Sequence, residues 1–422
     1  MANIDKLTHL EHVEDEMLNY GVKGCMKIVE DFQELRHMLG CGGSGYMQTK
    51  WDGSPSVVCG IDPANGMFFV AKKSAFNKKP ELCYTYQDID DYYGKKQGLV
   101  ETLRYALDYF SELGIQGVVQ GDFLFTDKTI QKNKTIHGDK LHTFAPQSIE
   151  YGIPADQPIG KAAAKAKVGV VFHTHYAGTD DRKNHKQYLE NMSARGGLGR
   201  DRNIKSTMDV LIINNDTPMD DIGLTPAEER EFDSTVAEIE KQCGTCGDFL
   251  DYLVTKGGGT GNPSGEDKYH IAPYVKKYFQ DEVNPETSGY RSKSVDVTLN
   301  QMIEFYGRSM DKIISKLKTP STVAAKVELT KISMEYVENN KDKFKAMIEL
   351  YKLVQNLKRQ IIFKLNPLEK TFKTFILTPD GYEVVGHEGY VLHKDGNMVK
   401  LVNKLEFTKN NLLYGAFSNF KK

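Results

Sequence analysis

Lys50 is the residue of this chain best placed by its neighbours to act as a nucleophile. It lies in Lys50-Trp51-Asp52-Gly53-Ser54, after a loop rich in glycine (Gly40, Gly42, Gly43, Gly45) and before the apolar run Val57-Val58-Cys59. Asp-Gly alone marks an ordinary surface turn. An amine attacks only when neutral, so such a lysine needs burial or nearby cations to lower its pKa. Cations do recur: Lys72 and Lys73 end the run Val70-Ala71, and Lys400 and Lys404 lie in Met398–Lys404. Carboxylates recur too. Asp122 sits inside Val119–Leu124, and Glu388 opens Glu388-Gly389-Tyr390-Val391. Phe172 ends an apolar run from Gly169. Taken singly, each has an ordinary reading: solvated lysines, a core phenylalanine, a turn-capping aspartate, a hairpin Glu-Gly.

Two further groups invite metal or redox chemistry. Cys243-Gly-Thr-Cys246 has the spacing of half a zinc site, but no second cysteine pair lies near it. It reads as two ordinary thiols at the end of a helix. His173 and His175 flank Thr174 in a strand-like segment, and alternation would put both on one face. No third ligand accompanies them.

The elements that must position these residues follow from periodicity. Residues 1–45 read as helical, with Ile28, Phe32, Leu35 and Leu39 at helical spacing before the glycines. From Met47 to about Ile213 short strands dominate: Ser56–Ile61, Met67–Ala71, Val118–Phe125, Val168–His175 and Val210–Ile213. One helix, about 97–113, interrupts them. From about Asp216 to Phe363 the period is helical, broken by Gly257–Gly261. Strands return at Phe372–Leu377, Tyr382–Val385, Gly389–Leu392 and Met398–Leu401. Three domains in a row would leave the last strands as a sheet too small to hold a core. The expected organisation is therefore α+β: a core from 1–215 and 371–422, with a helical insertion over 216–370.

Composition excludes several classes. Charged residues are 27% and hydrophobic residues 40%, ordinary for a globular chain of 422 residues. The net charge of −2 provides no global field for nucleic acid, so any such site must be a local patch. No run is long and apolar enough to span a bilayer, and the polar, acidic start is unlike a secretory signal. Six cysteines are too few for a disulfide scaffold and fit a reducing cytoplasm. One local patch stands out. Residues 305–373 hold fifteen lysines and arginines against seven aspartates and glutamates, an excess of eight positive charges. This suggests a phosphate-backbone clamp, or equally a solvated face of ordinary helices.

In this order the pieces resemble the covalent nucleotidyltransferase superfamily of DNA ligases, RNA ligases and mRNA capping enzymes. The likeness is closest to phage-type ATP-dependent RNA ligases, whose box tolerates Lys-x-Asp-Gly-Ser and whose fourth motif often reads Glu-Gly-Tyr-Val. It covers about 47–175 and 372–408. The resemblance implies an ATP-grasp-like adenylyltransferase core of antiparallel sheets. Lys50 would form a lysyl–AMP, with Asp52 and Gly53 shaping the nucleotide site. Lys400, and with it Lys404, would stabilise the phosphate charge, as would Lys72 or Lys73. Glu388 would serve the lysine or a Mg²⁺ ion on the triphosphate. Asp122 would take the place of a ribose-binding glutamate, and Phe172 that of the ring stacked on adenine.

The chain departs from the pattern at Pro55, where DNA ligases carry arginine, and at Val402, where a second lysine is usual. The eighteen residues after Lys404 leave no room for a C-terminal OB domain. These points favour an RNA-ligase-like enzyme acting on RNA or DNA strand ends. An adenylyltransferase with a protein or small-molecule acceptor, or a non-catalytic nucleic-acid-binding relative, are the alternatives. No separate nicotinamide-binding domain is recognisable.

Overall fold

Strand runs from both ends of the chain have apolar faces too small to be buried alone, so they must be completed across long sequence separations. The computed structural model shows how. It describes residues 12–39, 45–51, 53–62, 64–77, 79–147, 149–176, 204–213, 216–219, 223–257, 271–280, 294–394 and 397–402. Helix α1 (Glu16–Met38) leads into strands β1 (Tyr46–Lys50), β2 (Ser56–Ile61) and β3 (Phe68–Ala71). Helices α2 (Tyr86–Tyr93) and α3 (Gln97–Phe110) precede β4 (Val118–Thr126), β5 (Gln131–Ile136), β6 (Asp139–Phe144) and β7 (Glu150–Pro154). Then come α4 (Pro158–Ala163), β8 (Val168–Tyr176), β9 (Val210–Ile212) and β10 (Asp216–Pro218). Five helices follow: α5 (Pro226–Gly257), α6 (Ala272–Gln280), α7 (Val295–Ile314), α8 (Pro320–Asn339) and α9 (Lys341–Leu365). The chain returns to strands in β11 (Lys373–Thr378), β12 (Gly381–Val384), β13 (Gly389–Lys394) and β14 (Asn397–Val402).

The strands form three sheets, ordered β10-β1-β13-β14, β3-β2-β4-β8-β9 and β12-β11-β7-β6-β5. All pairings are antiparallel except β8 with β9. The architecture is α+β. Two sheets are closed by pairing early and late strands, β1 with β13 and β7 with β11. The five helices α5–α9 enter between β10 and β11.

Each sheet buries a different face. In the first, Met47, Tyr390, Leu392, Val399 and Leu401 alternate inward and join one core with α1 and α5–α9. Helix α1 therefore packs with the later helices. Cys25, Ile28, Phe32 and Leu35 form its buried stripe, and the helix kinks at Gly21 (φ 62°), where Asp251 accepts the Val22 N–H at 2.9 Å. In the second sheet, Val57, Cys59, Val119, Val170 and Phe172 face Val100, Leu103, Ala106 and Phe110 of α3. The third sheet gathers Phe144, Tyr151, Ile153 and Phe372 around Trp51.

The cysteine reading is corrected. Cys243 lies in the middle of α5 and forms a disulfide with Cys25 of α1, at odds with the expected pair of thiols. The two helices pack directly together, so residues 218 apart in sequence meet at a Cα separation of 5.8 Å. Cys246 is a buried free thiol.

Candidate active site

The Lys50 box is where the three sheets meet. Lys50 is the last residue of β1 and pairs with Gly389 of β13. Trp51 next to it is 3% exposed and packs into the third sheet, its ring 4.0 Å from Phe372 and 4.8 Å from Tyr151. Gly53 then lies against the second sheet. A Cβ there would stand 2.4 Å from the Asp122 Cβ, so only glycine permits this approach. Ser54 N–H donates to the Phe123 carbonyl, and Phe123 N–H to the Pro55 carbonyl, each at 3.1 Å. The described residues between Lys50 and Pro55 thus touch all three sheets. Asp52 and Lys404 lie outside the described residues.

On the first sheet, Met47 and Thr49 point to the helical core. Lys50 and Gln48 are therefore on the opposite face. Gln48 pairs with Val391, and Val391 with Lys400, which places Lys400 on that same face. Lys50 and Lys400 are two strands apart, roughly 10 Å in the hydrogen-bonding direction. Glu388 pairs with the Lys50 ammonium in a close ion pair; the carboxylate side chain is 11% exposed and the lysine 33%. The glycine after Glu388 is required by packing, since a Cβ on Gly389 would stand 2.2 Å from the Leu401 carbonyl oxygen. Behind the face, Glu369 is 8% exposed and accepts from the Thr49 hydroxyl at 2.6 Å and the Thr371 N–H at 2.7 Å. His387 packs edge-on to Phe372, and burial lowers its pKa against the pull of Glu369.

The second sheet contributes Asp122. Ser56 pairs with Asp122 and Val58 with Gln120, so Ser56, Gln120 and Asp122 share the face turned away from α3. Apolar clusters flank this polar strip, Leu124 and Val171 with Trp51 at one end and Val58, Val118 and Tyr176 at the other. Lys73 stands close enough to Asp122 to feel its charge. Burial lowers the Lys73 pKa and Asp122 partly opposes that shift. Lys72 directly precedes the short 3₁₀ turn Lys73–Phe76.

Two sequence expectations change here. Phe172 is 3% exposed with its ring edge-on to Phe110 of α3, at 5.6 Å, so it belongs to the core on the far side of the sheet from Asp122. Its neighbour His173 stands at the Asp122 face instead, Nε2 3.5 Å from Asp122 Oδ1. The histidines do not share one face either: His175 pairs with Val119, a residue of the α3-side core. Among the described residues no group of three or more His, Cys, Asp or Glu side chains is arranged to hold a metal. Glu388 alone, together with substrate phosphates, still suits Mg²⁺, which commonly takes one or two carboxylates.

The basic clamp is corrected in part. Lys358 is buried against Glu14, both side chains 2% exposed, and cannot meet a nucleic-acid strand. Lys364 pairs with Glu228 at 2.6 Å and Lys345 with Asp296 at 2.6 Å. Arg359 is exposed and donates to the Asn356 side chain. A cavity of about 420 Å³ on the helical layer is lined mainly by Leu39, Leu224, Phe232, Leu357, Ile361 and Phe363, far in character from a phosphate site. No helix among the described residues is long and apolar enough to cross a membrane.

Trp51, His173, Glu369 and His387 are the site neighbours that sequence reasoning did not select. Trp51 carried a signal, being the only tryptophan of the chain and set inside the box. Glu369 and His387 carried none.

Residues 3–415 match a family described as a family of unknown function (DUF6267), and the chain belongs to it. No curated protein and no solved structure matches the chain.

Proposed function

We propose that this member of the family is an ATP-dependent nucleotidyltransferase of the ligase type, which carries AMP on Lys50 and passes it to a polynucleotide 5′-phosphate end, RNA before DNA. The observation that carries the reading is the Lys50–Glu388 ion pair, formed across 338 residues at the corner where Gly53 packs on Asp122. Lys50, Gly53, Asp122 and Glu388, which are distant in sequence apart from the first two, lie near one another there, which supports the reading. The antiparallel sheets suit an ATP-grasp-like core.

In this mechanism Lys50, its side chain 33% exposed, gives an Nζ proton to solvent, and Nζ attacks the α-phosphorus and forms a P–N bond. The bond to the β-phosphate oxygen breaks and pyrophosphate leaves with the electron pair. Glu388 holds Lys50 in place before attack; it is also the carboxylate that would hold a Mg²⁺ ion, which would supply charge neutralisation on the triphosphate. Lys400, on the same face, stabilises negative charge that develops on the α-phosphate. Lys73 and Lys72 approach the phosphates from the second sheet, and Asp122 accepts hydrogen bonds from the ribose. The 5′-phosphate then takes AMP from Lys50, and a 3′-hydroxyl displaces it to seal the strand.

A second reading keeps the first step and changes the acceptor to a protein or small molecule. The engagement of Lys345, Lys358 and Lys364 in ion pairs favours it, because those charges are not free to hold a strand. Incubation with labelled ATP, GTP or NAD and Mg²⁺, followed by a denaturing gel, tests the first step. The expected result is an adduct from ATP that is absent in Lys50→Ala of unchanged circular dichroism. Labelling that survives the substitution refutes the assignment. Addition of 5′-phosphorylated RNA to the adduct separates the two acceptors: adenylylated or sealed RNA supports the ligase, and retained adduct supports the second reading.

A further inference from the structure

His173 is the polar side chain at the Asp122 face to which the mechanism above gives no task. The ladder between β4 and β8 explains how it gets there. Gln120 pairs with Thr174, but Gly121 pairs with Phe172, so β8 carries one residue more than β4 and His173 is that residue. A bulge of this kind re-aims a side chain that regular alternation would send elsewhere. The imidazole is held through Nδ1, 2.8 Å from the Thr174 hydroxyl, and its Nε2 faces Asp122 Oδ1 at 3.5 Å, an ion pair when the ring carries its proton. It is 34% exposed and Asp122 19%, so the pair stands at the solvent edge of the polar strip. The groups behind it are committed to one another: Gln120 donates to the Ser56 hydroxyl at 2.7 Å, and Tyr176 donates to the Gln120 carbonyl.

We propose that His173 is a positioning residue that fixes the Asp122 carboxylate for the ribose hydroxyls, so that the site selects ribonucleoside over 2′-deoxyribonucleoside triphosphates. The inference rests on the nucleotidyl-transfer reading and adds to it the residue that sets sugar selectivity. A carboxylate has two oxygens and about four acceptor positions. Engagement of Oδ1 by the ring leaves Oδ2 in a defined direction for a sugar hydroxyl. An aspartate has a shorter reach than a glutamate, and a partner beside it, itself tied to Thr174, makes up in orientation what it lacks in length. A site built around a substrate hydroxyl discriminates strongly against the analogue without it, because its own polar group is then left unpaired.

The test is the rate of Lys50 labelling with ATP and with 2′-deoxy-ATP, in wild type, His173→Ala, His173→Gln, Asp122→Asn and the double variant His173→Ala/Asp122→Asn. His173→Ala should raise the KM for ATP about tenfold while the saturating rate stays within roughly twofold, as expected for one lost orienting contact. Its preference for ATP over 2′-deoxy-ATP should fall to that of Asp122→Asn. Glutamine, whose Nε2 replaces that of the ring, should restore the preference, and the double variant should be no worse than Asp122→Asn. Circular dichroism reports that each variant is folded. An unchanged preference in His173→Ala, additive losses in the double variant, or a lower saturating rate at unchanged KM would each overturn the positioning role while leaving nucleotidyl transfer intact. A wild type that takes no label from any nucleotide would overturn both.

Discussion

Lys50 and Lys358 each pair with a glutamate more than 300 residues away, yet the two pairs live in different surroundings. The Lys50–Glu388 pair lies at the end of the central strands β1 and β13 of the first sheet, 33% and 11% exposed. The Lys358–Glu14 pair lies within the helical layer, 2% exposed on both sides. The first lysine remains within reach of water, and on the proposed function a phosphate competes with its partner. The second has lost its water on both sides and is held by architecture; nearby, the Tyr351 hydroxyl donates to Asp15 at 2.9 Å. A lysine in a charge-rich helix and a lysine at the end of a strand are therefore not equivalent candidates for phosphate binding. The burial of the partner decides which one is available.

The comparison is sharpest where a substitution should affect chemistry without stability. Lys400→Ala should lower the rate of Lys50 labelling by roughly two to three powers of ten, the size of a lost charge-stabilising donor. The urea midpoint should stay near that of wild type. Labelling at the wild-type rate would remove β14 from the site.

The converse case is Lys358→Met. It strands Glu14 as an uncompensated buried charge, and the expected loss is about 3–5 kcal/mol in urea unfolding. The double variant Lys358→Met/Glu14→Gln should recover most of it. If Lys358→Met instead costs nothing and weakens RNA binding, the lysine is an exposed strand contact and the contrast collapses.

Gly53→Ala tests the junction between the two regimes. Its Cβ would meet the Asp122 Cβ at 2.4 Å, so the loop must move off the second sheet. Overpacking of this kind costs about 1–3 kcal/mol, and labelling should fall by roughly tenfold or more as Lys50 and Asp122 separate. Unchanged labelling would show that the approach of loop to strand is not needed.

The smallest expected effect is a pH dependence on the Lys50 face of the first sheet, where His393 pairs with Tyr46. His393 stacks on Tyr46 with ring centroids 4.5 Å apart, and burial pushes its pKa down to about 4. The unfolded chain has this group at about 6.5, so the unfolded state takes up the proton first. The stability contribution is thus complete above that value and is lost as pH falls toward the folded pKa. The loss should be on the order of 2 kcal/mol between pH 6.5 and 4.5, and His393→Phe should remove that part of the slope.

The site was legible in sequence where a residue type has one use. Lys50, Gly53, Glu388 and Gly389 were readable because a nucleophile, a carboxylate and glycines forced by close approach leave fixed letters at short spacing. Asp122 was readable as a lone charge in an apolar strand. Phe172 was assigned to the nucleotide through the resemblance, although it alternates with Val168 and Val170 into the α3-side core; the shared face of His173 and His175 was misread because alternation along β8 looks unbroken in sequence. Which face a ring takes depends on the register with β4, and a one-residue slip there is not written in β8 itself. The Cys25–Cys243 bond was missed because two helices distant in sequence must first pack.

By itself the sequence determined the α+β alternation, most of the strand spans and the long-range return of the last strands, because hydrophobic period and turn residues are local properties. The helix over 97–113 and the strand Ser56–Ile61 both stand where the pattern put them, the former ending in a 3₁₀ turn. Only the tertiary structure decided which charges are available. Fifteen basic residues in 305–373 looked like a clamp, yet Lys358 found Glu14 and Lys364 found Glu228. Net charge adds up along a chain, whereas desolvation and pairing depend on which distant segment lies across the gap.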